Sequence, residues 1–251
     1  MYKNLPRPTV FAHRGASAYA PENTLASFRL AVQQNADAIE LDAKLSADGH
    51  IVVIHDQTVE RTTDGKGLVQ DLPLAALKEL DAGRTYDQAF RGERIPTLSE
   101  VFEAVGQQTF INIELKNYAA PANALPEKVA ALVRKHNMVH RVLFSSFNPI
   151  ALHRIHKLLP KTPICLLSIP GLAGAWARSP LGRWVPHQAL NSAVRDLTKG
   201  LIARKQNNGY RVYVYTVNNP EQISRFLKWG VDGIFTDDPP LARRTIKAET
   251  R

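Results

Sequence analysis

Cysteine is almost absent. Cys165 is the single one in 251 residues, so no internal disulfide framework is available and the chain suits a reducing compartment. It lies in the apolar run PICLLS, which reads as a buried hydrophobic position. Long hydrophobic runs are missing too: no stretch approaches the roughly 18 uninterrupted apolar residues of a membrane span. The N-terminal MYKNLPRPTV lacks the apolar core of a signal peptide. Stable membrane insertion is therefore not expected, and a cytoplasmic location is. Acids are scarce in one long region, since Lys128 to Pro220 holds fourteen Lys or Arg and one acid, Asp196, in a chain of net charge +9. That asymmetry suits anionic substrates, an anionic membrane or nucleic acid. Nucleic acid is set aside, because no nucleic-acid motif and no basic repeat interleaved with aromatics is present.

What is present is an alternation. Strand-like runs TVFAHR, AIELD, FINIEL, RVLFSSF, PICLLS, QALN, RVYVYTV and GIFTD are separated by helical patterns near TLASFRLAVQQN, LSEVFEAVG, LPEKVAALVRKHN, NPIALHRIHKLL, RDLTKGLIARKQNN and PEQISRFLKWG. Asn23 or Thr24, Thr97 and Ser99, and Asn148-Pro149 supply helix-opening signals. Eight strands with helical crossovers in this length predict a single (β/α)8 TIM barrel of class α/β. A doubly wound open sheet is the rival, but HRGASAYAPEN is a poor match to its glycine-rich first turn. Residues 169–187 carry no helical pattern.

One segment breaks the alternation. AIELDAKLSADGHIVVIHD contains two strand-like runs joined by Asp48-Gly49, a hairpin signal. A two-residue turn predicts that paired residue numbers sum to 97, which sets Asp42 opposite His55. Glu40 and Asp42, two apart, share one strand face, as do Glu114 and Lys116 in NIELK.

Three carboxylates, Glu40, Asp42 and Glu114, thus stand at the ends of two strands that a barrel makes neighbours. All-oxygen ligands select one hard divalent cation, Mg²⁺ or Ca²⁺. His13, Arg14, His55 and Lys116 converge on them. Two histidines can divide general acid and general base work while the cations hold a phosphate oxyanion. His136, His140, His153, His156 and His187 have no comparable partners and read as surface or packing residues.

With these residues in view, the chain resembles the glycerophosphodiester phosphodiesterases. The stretches AHRGASAYAPENTLASF, AIELDAKLSADGHIVVIHDQTVERTTDGKG, IPTLSEVF, NIELK, YTVNNPEQ and GVDGIFTDDP run in family order from residue 11 to 239. The resemblance implies a TIM barrel spanning residues 1–251 as one domain, with an insertion at about residues 57–96. It implies hydrolysis of glycerophosphodiesters to sn-glycerol 3-phosphate and an alcohol. Within it, His13 and His55 are the acid and base, Glu40, Asp42 and Glu114 hold the metal, and Arg14 and Lys116 bind a small anionic phosphodiester. The family often has tryptophan where this chain has Tyr215, which keeps an aromatic wall on the substrate and adds a hydroxyl. A lipid-acting phospholipase D or cyclising enzyme is the alternative, followed by a non-catalytic glycerol-phosphate-binding protein. SIPGLAGAWARSPLGRWVPHQ, residues 168–188, is expected to form part of the rim through which substrate passes, using Trp176, Arg178, Arg183 and Trp184, with contact to an anionic membrane as the other possibility.

Overall fold

A computed structural model describes residues 4–249; Met1–Lys3, the start of the MYKNLPRPTV stretch, lie outside the described residues. The strands are β1 (Thr9–Ala12), β2 (Ala38–Leu45), β3 (Ile51–Val53), β4 (Phe110–Leu115), β5 (Val142–Ser146), β6 (Ile164–Ser168), β7 (Ala189–Ala193), β8 (Arg211–Tyr215) and β9 (Gly233–Thr236). Their order is β1-β9-β8-β7-β6-β5-β4-β2-β3, and β1 also pairs with β2. Eight parallel strands therefore close into a barrel, with β3 antiparallel on the outgoing end of β2. This is the expected (β/α)8 TIM barrel.

The helices are α1 (Leu25–Gln33), α2 (Leu74–Glu79), α3 (Leu98–Val105), α4 (Leu125–Lys135), α5 (Pro149–Leu158), α6 (Ala175–Arg178), α7 (Lys199–Asn207), α8 (Pro220–Lys228) and α9 (Pro239–Glu249). Side chains start several of them. Thr24 and Thr97 form capping boxes with Ser27 and Glu100, and Asn148 caps α5 ahead of Pro149. Of the paired candidates, Thr24 and Thr97 are the caps. Helices α2 and α6, six and four residues long, are too short to show apolar periodicity, and α9 is a further helix beyond those expected, with Pro239 and Ala242 as its described buried residues. The barrel's lower interior is apolar, where Phe11 stacks on Phe235 at 4.5 Å beside Tyr213, Leu143, Ala189 and the buried Cys165.

The hairpin departs from its expected register. Ala43 faces Val53, Lys44 faces Val52 and Leu45 faces Ile51, so Asp42 lies across from Ile54 and not from His55. The cause is a three-residue turn. Ser46 accepts the Gly49 amide on its carbonyl and donates its own amide to the His50 carbonyl, and Gly49 takes φ +80° as the third loop residue. After Ile54, whose amide still donates to the Asp42 carbonyl at 3.0 Å, the chain leaves the ladder, and that bend carries His55 to the barrel mouth.

Residues 57–96 form a small layer containing α2, with Val59, Val69, Leu77 and Ile95 packed on Val52 and Ile54. None of the four side chains expected at the rim in the 168–188 connection lines the cavity at the barrel mouth. Trp176 packs half-buried on the main core, and Arg178 is consumed by the Ser168 hydroxyl at 2.7 Å, the Gly171 carbonyl at 2.6 Å and Asp196. Arg183 binds Asn208 at the far end of α7, and Trp184 is 75% exposed against His153. The segment must return to the start of β7, so beyond its first residues it runs down the barrel wall.

Candidate active site

Strand alternation aims Glu40 and Asp42 of β2 inward, and the register sets Asp42 beside Glu114 of β4. One oxygen from each of Glu40, Asp42 and Glu114 lies within 4.8 Å of the others, and all three residues are buried. Each is held from one side. The Arg14 amide donates to Glu40 at 2.9 Å, the Asn23 side-chain amide to Asp42 at 2.8 Å, and the Tyr118 hydroxyl to Glu114 at 2.6 Å. Burial, reinforced by Asp42 and Glu114, pushes the Glu40 carboxyl well above its ordinary range. Burial acts the same way on Asp42, but Lys116 and Arg14 outweigh it and hold that carboxyl below its ordinary range. Hard oxygen donors this close, one of them unable to ionise cheaply, fit a divalent cation whose charge would release the Glu40 proton.

That crowding has a measurable consequence. Between the ordinary glutamate range and Glu40's raised one, the metal-free fold binds more protons than the unfolded chain, so its stability falls as pH rises through that window. Glu40→Gln keeps the acceptor for the Arg14 amide and removes the charge. At neutral pH its metal-free melting temperature should rise, by roughly 2–4 °C if about 1 kcal/mol is relieved, while the stabilisation given by added Mg²⁺ or Ca²⁺ disappears. An unchanged or lower metal-free value in thermal denaturation would argue against the crowding.

At the end of β1 the backbone turns abruptly. Arg14 (φ +56°) and Gly15 (φ +85°) both occupy the left-handed region, which lets the Arg14 amide reach Glu40 and its side chain enter the cavity. A Cβ on Gly15 would lie 2.3 Å from the Ser27 hydroxyl oxygen. Gly15→Ala should therefore destabilise the fold by more than about 1 kcal/mol and displace Arg14. A melting temperature equal to the parent's would count against that packing. Arg14 binds Glu22 at 2.9 Å and approaches Asp42 at 3.5 Å, yet its buried Nε makes no hydrogen bond. Asp42, Glu22 and Glu40 overcome the effect of burial and keep it charged.

Each candidate histidine is oriented by a carboxylate. His13 Nδ1 lies 2.7 Å from Asp237, and His55 Nδ1 lies 2.6 Å from Asp56. With Nδ1–H donating to those acids, Nε2 is left for the cavity; the partner assigns the tautomer. Asp237 also accepts from Asn218 and the Ser17 hydroxyl, and these bonds with His13 outweigh burial and hold its carboxyl low. Bonds from Arg61, then His55, likewise hold the Asp56 carboxyl low. Arg61 bridges Asp56 at 2.6 Å and Glu22 at 2.8 Å, so a chain of ion pairs runs from Asp56 to Arg14, with His55 hydrogen-bonded at its end. Burial outweighs the pull of Asp42 and places His55 below its ordinary value, favouring the neutral ring.

Lys116 completes the cluster at 3.4 Å from Asp42 and 3.2 Å from Glu114, and the two acids raise it against burial. The cavity these residues line has a volume of about 170 Å³, with Phe147, Leu167, Tyr215 and Phe235 as its apolar wall. Tyr215 offers that cavity only its ring, since its hydroxyl donates to the Ser168 carbonyl at 2.6 Å. The added hydroxyl is thus structural. No residue from 168–188 lines the cavity.

All eight candidate residues meet here: His13, Arg14, Glu40, His55, Glu114, Lys116 and Tyr215 line the cavity, and Asp42 lies behind them. Sequence reasoning missed Asp56, Arg61, Tyr118 and Asp237, and read Asn23 only as a loop or cap residue. Asp56 and Asp237 were legible as the acids beside His55 and in FTDDP; Asn23, at φ +58°, needed the fold to reach Asp42. Asn112 was missed too: it donates to Ser145 at 3.1 Å and leaves its buried carbonyl oxygen unpartnered at the cavity floor.

A family model described as the glycerophosphoryl diester phosphodiesterase family matches residues 13–241. A glycerophosphodiester phosphodiesterase of Caldanaerobacter subterraneus subsp. tengcongensis is 42% identical over 232 residues, 92% of this chain and 94% of that one. A phosphodiesterase of Oleispira antarctica, solved in complex with the product sn-glycerol-3-phosphate, superposes with a TM-score of 0.85 at 35% identity, covering 98% of both chains. A glycerophosphodiester phosphodiesterase of Agrobacterium tumefaciens gives 0.81 at 33% identity, over 94% of this chain and 99% of that one.

Proposed function

Because the chain belongs to the glycerophosphoryl diester phosphodiesterase family, we propose that it hydrolyses small glycerophosphodiesters to sn-glycerol 3-phosphate and an alcohol in the cytoplasm. The proposal takes residues 1–251 as one barrel domain, with 57–96 as an insertion. The observation that carries it is two histidines, each set by its own carboxylate, flanking a buried acidic triad beside Arg14 and Lys116. Glu40, Asp42 and Glu114 would hold one Mg²⁺ or Ca²⁺, and the ion supplies charge neutralisation of a phosphoryl oxygen.

The chain's own groups do the remainder. Arg14 Nε and the Lys116 ammonium bind the non-bridging oxygens and neutralise charge that grows on them. One histidine takes the proton of the attacking hydroxyl, and the other gives a proton to the departing alcohol oxygen. Attack by water or by the glycerol 2-hydroxyl makes the same demand on them. Asp56 and Asp237 keep the rings oriented and stabilise them when protonated. The apolar wall of Phe147, Leu167 and Phe235 limits water at the reacting atoms.

A binding protein would gain nothing from two oriented proton-transfer groups. The test is release of sn-glycerol 3-phosphate from sn-glycero-3-phosphocholine, run beside choline release from lysophosphatidylcholine. Turnover of the first with little of the second is expected. Preference for the lysolipid would move the assignment to a lipid-acting enzyme, and tight product binding without turnover would make it a binding protein.

A further inference from the structure

Lys44 follows Glu40 and Asp42 at the same two-residue interval on β2, so its side chain leaves the same strand face, one step nearer the mouth. The residue is only 8% exposed, yet it makes no hydrogen bond or ion pair with a described residue. The acids that feel it are committed elsewhere: Asp42 to Asn23 and Lys116, Glu114 to Lys116 and Tyr118, Asp56 to His55 and Arg61. Its stem is covered while its ammonium keeps contact with solvent, which leaves the charge available to an anionic partner.

It lines a second, small cavity of about 50 Å³ that meets the catalytic one at Lys116. Its other polar walls are the amides Gln57, Gln70, Asn117 and Asn123, and no carboxylate lines it. The cavity on the far side of His13 is the opposite, lined by Glu22, Asp237 and Asp238. Lys44 beside the side-chain amides of Gln57, Gln70 and Asn123, with no acid among them, is complementary to an anion. Since Lys116 belongs to both cavities, an anion held there is within reach of a diester bound at the catalytic residues.

We propose that this cavity is a subsite for an anionic group on the leaving alcohol, a carboxylate or a phosphate, and that Lys44 is the residue that recognises it. The proposal rests on the phosphodiesterase reading and adds to it a substrate class: glycerophosphodiesters whose alcohol carries its own negative charge.

sn-Glycero-3-phosphoserine and sn-glycero-3-phosphoethanolamine differ by one carboxylate, so the ratio of their kcat/KM values isolates the subsite. sn-Glycero-3-phosphoglycerol and its terminal phosphate monoester do the same for a phosphate. Lys44→Met should lower the anionic-to-parent ratio about tenfold, the size of one charge-assisted hydrogen bond, through KM, with the ethanolamine diester unaffected. Lys44→Arg should keep most of the ratio. Gln57→Glu and Gln70→Glu, at exposed positions whose change does not threaten folding, should lower it by placing a negative charge in the cavity. The pair that responds, serine or phosphate, identifies the anion. Unchanged ratios in Lys44→Met and in both glutamate variants, or equal losses on charged and uncharged alcohols, would overturn the proposal. Turnover of the ethanolamine diester by the parent enzyme tests the phosphodiesterase reading separately, so the two failures are told apart.

Discussion

Replacing His13 or His55 with alanine is expected to slow glycerophosphodiester hydrolysis by about 10²–10⁴-fold, the range for losing one positioned general acid or base. The two losses should separate on a substrate with an activated aryl leaving group. Such an alcohol departs without a proton, so the variant that recovers on it has lost the general acid, and the other has lost the base. The pH profile gives a second assignment. Burial holds His55 low, so the limb that vanishes in His55→Ala should have its midpoint below the ordinary imidazole value of about 6.5. If that limb is the one rising with pH, His55 works deprotonated, as the base; if it is the falling one, His55 is the acid. Asp237→Asn and Asp56→Asn leave each ring in place but remove the anion on Nδ1, and should lower kcat more than they raise KM. Equal defects of both alanine variants on the natural and the aryl diester would contradict the division of labour.

These partners also mark where sequence reasoning ran out. The barrel was legible because its eight parallel strands are short apolar runs at regular intervals, and burial on both faces makes such runs unmistakable. The acidic triad was legible because an acid inside an apolar strand has few destinations. His55 reached the site by a route that turn chemistry hid. Asp48-Gly49 signals a two-residue turn, but Gly49 serves as the third residue of a longer one, and every pairing shifts by one. His55 still arrives, because β3 ends at Val53 and the bend after it, not the ladder, sets its place.

Long-range pairs were less visible. His13 and Asp237 are 224 residues apart, brought together only because β1 and β9 are neighbours at barrel closure. Tryptophans and arginines in 168–188 looked like substrate contacts, yet Arg178 is tied to the loop's own backbone and to Asp196. Composition reports which contacts a loop can make; whether its cations are already spent depends on the fold.

Removing the divalent ion should abolish turnover altogether, and Mg²⁺ or Ca²⁺ should restore it. Even with Glu40 protonated, Asp42, Glu114 and a phosphodiester bring three negative charges against the two positive charges of Arg14 and Lys116, so without the ion the triad opposes the anionic substrate. Glu114→Gln makes the argument specific. It replaces an anionic ligand with a neutral one while preserving an acceptor for Tyr118 and Lys116, so the first loss should be in metal affinity, partly recovered at higher metal concentration. Binding should also release a proton, because Glu40 keeps its own well above the ordinary range until a cation arrives; titration in buffers of different ionisation enthalpy would register it. Affinity for the ion should accordingly weaken as pH falls. Full activity in excess chelator, or a Glu114→Gln defect untouched by any metal concentration with binding intact, would remove the ion from the triad.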